Sequence, residues 1–121
     1  MVRFLHTADW QLGMRFAGLG EAGGLVREER LAAAQRAADE AEARGAQFIL
    51  IAGDLFEDNA VDRSLVRKVA RLLGGASLPV FIIPGNHDPL VPGSVWEDRS
   101  WQSAPNVTII TENSPLPCPG G

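Results

Sequence analysis

Cysteine is nearly absent from this chain: Cys118 is the single one in 121 residues. That excludes an internal disulfide framework and fits a reducing compartment. Cys118 lies in a Pro/Gly-rich tail with no basic neighbour to lower its pKa, so it reads as an incidental thiol and not a nucleophile. No apolar run approaches the roughly 20 residues of a membrane span. Residues 1–12 lack the n-region and longer h-region of a secretory signal. A cytoplasmic protein without membrane contact is therefore expected, and the sequon at Asn106-Val107-Thr108 is read as chance. Positive charge is not in excess: 11 Lys and Arg face 15 Asp and Glu, giving a net charge of −4 and a pI near 5.1. This argues against a broad basic nucleic-acid surface. Histidine is scarce too, with only His6 and His87. Internal repeats are absent.

What is present is organised around Phe48–Asp58, FILIAGDLFED. A continuous apolar run ending in turn residues is how a buried parallel strand reads. Asp54 then sits just past the strand's carboxyl end, the edge where open α/β sheets bind ligands. Taken alone, Asp54 reads equally well as a cap on the next helix. Two other strand-like runs end the same way: Phe4–Ala8 runs into Asp9-Trp10-Gln11, and Val80–Ile83 runs into Pro84-Gly85-Asn86-His87-Asp88. Parallel, adjacent strands would bring Asp9, Gln11, Asp54, Asn86 and His87 to one edge. Hard oxygen donors with one imidazole suit Mn²⁺, Mg²⁺ or Fe²⁺.

The rest of the chain fills in around these runs. Val2–Ala8 is the first expected strand, with His6 as a core or strand histidine and Trp10 packed under the following loop. Residues 13–24 read as a glycine-rich loop. Its literal G-x-G-x-x-G at 18–23 is rejected as a dinucleotide site, because it starts too far after the strand and Glu21 would repel a pyrophosphate. Arg15 in this loop reads as solvated. Leu25–Arg44, rich in Ala, Glu and Arg, predicts a long helix stopped by Gly45, with alanines 33, 34, 37, 38 and 41 as a slim face. A second helix is capped by Asn59 or Asp62 and ends at Gly74-Gly75. Val61, Leu65, Val66, Val69, Leu72 and Leu73 make its core face, and Arg63, Arg67, Lys68 and Arg71 read as a solvated face. Leu78–Ile83 and Val107–Ile110 are the third and fourth strands. Between them a loop carries one short helical turn around Trp96–Trp101, a packed lid or an interaction surface. The alternation predicts an α/β fold, one domain over 1–112 with a mostly parallel sheet and helices on both faces. Residues 113–121 read as a Pro/Gly-rich tail or linker.

The three motifs HTADWQLG at 6–13, GDLFED at 53–58 and PGNHD at 84–88 together resemble the calcineurin-like metallophosphoesterase superfamily, and within it the SbcD-type DNA-repair nuclease branch. The resemblance covers nearly all of residues 1–110. It implies the first half of a four-layer α/β/β/α sandwich and two-metal phosphodiester hydrolysis, with two divalent ions, Mn²⁺ foremost, as cofactors. It casts Asp9, with Gln11 beside it, as a ligand of the first metal, Asp54 as the bridging carboxylate and Asn86 as a ligand of the second. His87 would protonate or stabilise the scissile phosphate, its ring oriented by Asp88 or a backbone carbonyl. Implied partners are a DNA substrate and an SMC-like ATPase of the SbcC type, with room for a homodimer. Two bound divalent ions would add about +4 locally, which offsets the acidic pI.

The chain departs from the pattern. Gln11 stands where the family usually has histidine, and a neutral amide is a weaker donor. Glu57 replaces a frequent aspartate. The family's downstream histidines, ending in a G-H-x-H-like motif, are missing, so the chain is expected to be a fragment of a longer enzyme. Two other readings stand beside the nuclease: a generic phosphoesterase acting on nucleotides or small phosphodiesters, and a non-catalytic module with an incomplete site.

Overall fold

The structure is a computed structural model that describes residues 1–13 and 21–117. Arg15, most of the Gly18–Gly23 stretch and Cys118 lie outside the described residues. Four strands, β1 (Phe4–Thr7), β2 (Phe48–Ala52), β3 (Val80–Ile83) and β4 (Val107–Ile109), form one sheet in sequence order. All three pairings are parallel. Thr7, Ile51, Ile82 and Ile109 share one cross-strand row, so the strands end nearly level and their loops leave from one edge. That level edge follows from the apolar runs, the first three of which end at a Gly, Pro or Asp signal.

Helix α1 (Glu21–Ala43) joins β1 to β2, and α2 (Arg63–Gly74) joins β2 to β3. Helix α1 begins earlier than its composition suggests: Gly23 and Gly24 are already helical. It is held by propensity and a lean contact, since the buried hydrophobic side chains among its described residues are Ala34, Ala38 and Ala41, while Leu25 is exposed. It ends in a Schellman motif. Gly45 takes φ 74°, its amide donates to Glu42 O, and the Ala46 amide donates to Ala41 O. Helix α2 is the stronger element. Asp62, not Asn59, is its N-cap, accepting from the Ser64 amide at 2.8 Å. Val66, Val69, Ala70 and Leu73 are buried against the sheet.

Both helices pack on one face, a correction to the two-sided arrangement. The strand order advances in one direction, and right-handed crossovers then return every helix to the same side. Ile49, Ile51, Val80 and Ile82 lie under them, none more than 1% exposed. Fully burying each such side chain is worth roughly 1.5–3 kcal/mol. The opposite face carries Phe4, His6, Leu50, Phe81 and Ile83. Phe4 stacks on Phe48 at 4.8 Å and Phe48 meets Phe81 edge-on at 5.7 Å. His6 is thus a strand residue but not a core one; it is exposed. Residues 111–117 form neither helix nor strand, and Leu116 and Pro117 border a small cavity over Phe48 and Phe81.

In the segment after β3 the two tryptophans are buried and do not present a surface. Two 3₁₀ turns, Val95–Glu97 and Arg99–Ser103, set Trp96 and Trp101 against Phe56, with centroids at 5.7 and 6.4 Å. Asn106 donates its side-chain amide to the carbonyls of Leu73, Ala76 and Leu78, tying the end of α2 to β4. The sequon asparagine is therefore a structural clasp. No helix among the described residues is long and apolar enough to cross a membrane.

Candidate metal centre

Three loops meet at the carboxyl edge of the sheet. The pairing of β1 with β2 continues past the strands: Asp9 N donates to Gly53 O at 3.0 Å, Gln11 N to Asp54 O at 2.9 Å and Leu12 N to Leu55 O at 2.9 Å. Glu57 N donates back to Leu12 O at 2.8 Å. This zipper forces unusual backbone. Asp9 (φ 57°), Gln11 (φ 46°) and Asp54 (φ 53°) are the non-glycine residues with positive φ among those described. Left-handed backbone at a residue with a Cβ costs roughly 1–3 kcal/mol and gathers at functional sites. All three are residues singled out as metal ligands from sequence.

The β3 loop docks on the β2 loop through glycines and carboxylates. A Cβ on Gly85 would collide with the Asp54 amide and carboxylate, so only glycine fits there. The His87 amide donates to Asp54 Oδ1 at 2.9 Å. Asp88 is fully buried and spans both loops: Oδ2 accepts from Phe56 N at 2.9 Å and Oδ1 from Gly85 N at 2.8 Å. Its carbonyl accepts from Trp96 Nε1 at 2.7 Å. Burial raises the Asp88 pKa above the ordinary carboxylate value, opposed by the two amide hydrogen bonds. Both Asp88 oxygens are thus committed to backbone, which corrects the idea that this carboxylate orients the His87 ring. Asn59 bridges the same region, donating to Pro89 O and accepting from Val95 N.

The sequence-derived residues come together on this edge. Asp9, Asn86 and His87 are exposed, and Gln11 and Asp54 are half-buried. Trp10 packs against the core as expected. Its indole donates to Thr7 Oγ1 at 2.7 Å, and its carbonyl accepts from Arg30 Nη2 at 2.5 Å. Asp9 and Trp10 open onto a cavity of about 260 Å³ against the alanines of α1. Sequence reasoning missed the Arg30 clamp and the double anchoring by Asp88. Only the acidic residue closing PGNHD hinted at the latter.

Two carboxylates and two amide oxygens on rigid, strained loops fit a hard cation. Asp54 uses Oδ1 for the His87 amide, and the hydrogen bonds found leave Oδ2 uncommitted. The set is short of charge and of imidazole: among the described residues no three His, Cys, Asp or Glu side chains gather into a metal-holding group. The Glu57 Oε2 atom is buried without a hydrogen-bond partner among the described residues. The residues fit part of a metal site.

Comparison with known proteins agrees with this geometry. The calcineurin-like phosphoesterase family profile matches residues 2–121. The uncharacterized metallophosphoesterase YhaO of Bacillus subtilis is 31% identical over 121 aligned positions, covering 93% of this chain. The chain spans 28% of that relative's length. A parallel sheet, three loops meeting on its carboxyl edge and a profile match along almost the whole chain lead to one assignment: the chain belongs to the calcineurin-like phosphoesterase family.

Proposed function

We propose that this chain supplies one half of the dinuclear metal centre of a phosphodiester hydrolase. The observation that carries the reading is Asp54, left-handed and held between the β1 loop and the His87 amide. In this reading Asp9 and Gln11 would hold the first cation, Asn86 the second, and Asp54 would serve both. Divalent cations there, Mn²⁺ foremost, would supply Lewis acidity toward phosphoryl oxygens and a lowered pKa for the attacking water. The protein's own share is positional. The zipper between the β1 and β2 loops fixes Asp9 and Asp54 relative to each other. Asp88 and Gly85 fix the PGNHD turn, so that the Asn86 amide serves a cation and the His87 imidazole serves the leaving oxygen as proton donor. Histidines from outside these residues complete the set, and a second sheet covers the bare face of Phe4, Phe48 and Phe81.

The substrate in this proposal is DNA and the branch is the SbcD type, acting in the cytoplasm with an SMC-like ATPase and as a homodimer. Trp10 and GDLFED support it. A generic phosphoesterase on nucleotides or small phosphodiesters is the second reading, favoured by the likeness to YhaO. Assays of the full-length protein with Mn²⁺ separate them. Cleavage of single- or double-stranded DNA with little turnover of a small chromogenic phosphodiester supports the nuclease. The opposite preference supports the generic enzyme, and failure to act on either overturns both.

A further inference from the structure

Away from the metal edge, the carboxyl-terminal half of α2 and the second 3₁₀ turn border an open concavity of about 720 Å³. Helix α2 runs back from the carboxyl edge to the amino edge of the sheet, so this cavity lies at the other end of the molecule from Asp54. Its walls carry Arg67 and Arg71 from α2, and Arg99 with Asp98, Ser100 and Ser103 from the turn. Arg67 and Arg71, four residues apart, lie one above the other on the helix. Arg99 lines the same concavity from the turn that packs against α2, together with Ala70, Gly74 and Gly75.

Four observations give this cluster more content than a solvated helix face. The chain is acidic, with a net charge of −4, yet three guanidinium groups border one concavity. Among the described residues, none of the three makes an ion pair or a side-chain hydrogen bond; the ion pairs found are Arg36–Glu29 and Arg44–Glu40. The one carboxylate present, Asp98, spends Oδ1 on Ser100, accepting from its N at 2.9 Å and its Oγ at 2.6 Å, and meets Arg67 through space without forming an ion pair. Finally, two of the carbonyls at the end of α2, which would repel an anion, are capped. Arg71 O accepts from Gly75 N, and Leu73 O accepts from Ala76 N and Asn106 Nδ2. Three cations against one anion leave two positive charges unmatched.

We propose that this cavity binds a phosphate dianion, free or as the monoester group of a small molecule. A phosphomonoester carries roughly −1.5 to −2 charges near neutral pH, matching the local excess. Its three terminal oxygens suit guanidinium forks arriving from two sides, whereas one carboxylate would satisfy only one fork. The volume lies within the range of small-ligand sites, about 300–1,000 Å³. A nucleic-acid backbone fits less well, since it wants an extended basic stripe and the surrounding chain is acidic.

The test uses full-length protein stripped of metal by a chelator, so that phosphate binding at the metal edge is not read. Calorimetry with inorganic phosphate and with adenosine monophosphate should give saturable binding. The Arg71→Ala/Arg99→Ala variant should bind at least about tenfold more weakly, because charge-assisted hydrogen bonds are lost. The Arg71→Lys/Arg99→Lys variant should fall between, keeping charge but not the fork. All these side chains are exposed, so the melting temperature should hold and confirm folding. Binding of inorganic phosphate alone supports the dianion and identifies it as free; binding of the nucleotide identifies the ester. Absence of saturable binding, or equal binding by the double alanine variant, overturns the proposal. So does displacement by a duplex oligonucleotide lacking terminal phosphates, which would assign the arginines to a polyanion surface.

Discussion

The helix-covered face of the sheet and its carboxyl edge obey different rules. Under the helices, Ile51, Ile82, Val69 and Leu73 are fully buried in ordinary strand and helix backbone. Three residues beyond Ile51, Asp54 is half-buried, left-handed and negatively charged. The two regions meet at Leu55 and Phe56, both fully buried immediately after Asp54. Phe56 packs against Trp96 and Trp101, and its amide is held by Asp88. The contrast teaches where the strain is held. The edge does not stabilise itself; an apolar plug beneath it fixes a polar arrangement that isolated loops would relax.

The comparison can be broken from either side. The largest effect belongs to the edge: His87→Ala in the full-length enzyme should slow kcat by about 10²–10⁴-fold. The substitution leaves the backbone amide that donates to Asp54, so metal content and melting temperature should barely change. A loss of stability with kcat per folded molecule unaltered would make His87 a packing residue only. The converse change is Leu73→Ala under the sheet, which should cost about 2–5 kcal/mol in denaturant unfolding. Its kcat per folded molecule should stay near that of the parent; a selective loss of kcat would mean that the two regions are not separable.

Gly85→Ala probes the junction. The added Cβ has no room beside Asp54, and overpacking of this kind costs about 1–3 kcal/mol. Activity per folded molecule should fall together with stability, because relief of the clash moves the carboxylate. Unchanged kinetics would show that the close approach of the loops does not position Asp54. Asp62→Ala, at the start of α2, is the smallest perturbation and should lower the melting temperature slightly at neutral pH. Hydrogen bonds from Ser64, the backbone amide first, hold the Asp62 pKa below its ordinary 3.8. Its stabilisation is therefore complete above 3.8 and fades as pH falls through the lowered value. The melting-temperature gap between variant and parent should shrink on acidification; a gap constant with pH would remove the ionised cap from the account.

Much of this was legible in the sequence because the signals are local. Apolar runs ending in Asp9, Gly53-Asp54 and Gly85-Asn86 located three strands and the loops that meet at their carboxyl edge, and the Asp62 and Gly45 signals marked helix ends. What was not legible depends on partners distant in sequence. No local residue announces that Gln11 is left-handed; the zipper to Asp54 imposes it. Asp88 looked like an orienting group for its neighbour, but the amide of Phe56, 32 residues away, occupies it. The tryptophans read as lid or interface because their partner, Phe56, lies in another loop. Helices on one face follow from strand order, which periodicity does not encode.

The central claim is that Asp54 is the shared carboxylate of a two-cation centre. The direct measurement is Mn²⁺ stoichiometry and affinity by calorimetry on the full-length protein, comparing the parent with Asp54→Asn and Gln11→His. A bridging carboxylate lends charge to both cations and its amide does not. Asp54→Asn should therefore weaken both binding events and abolish hydrolysis, while Gln11→His preserves or tightens the first. Two unweakened Mn²⁺ ions in the Asp54→Asn protein would contradict the account.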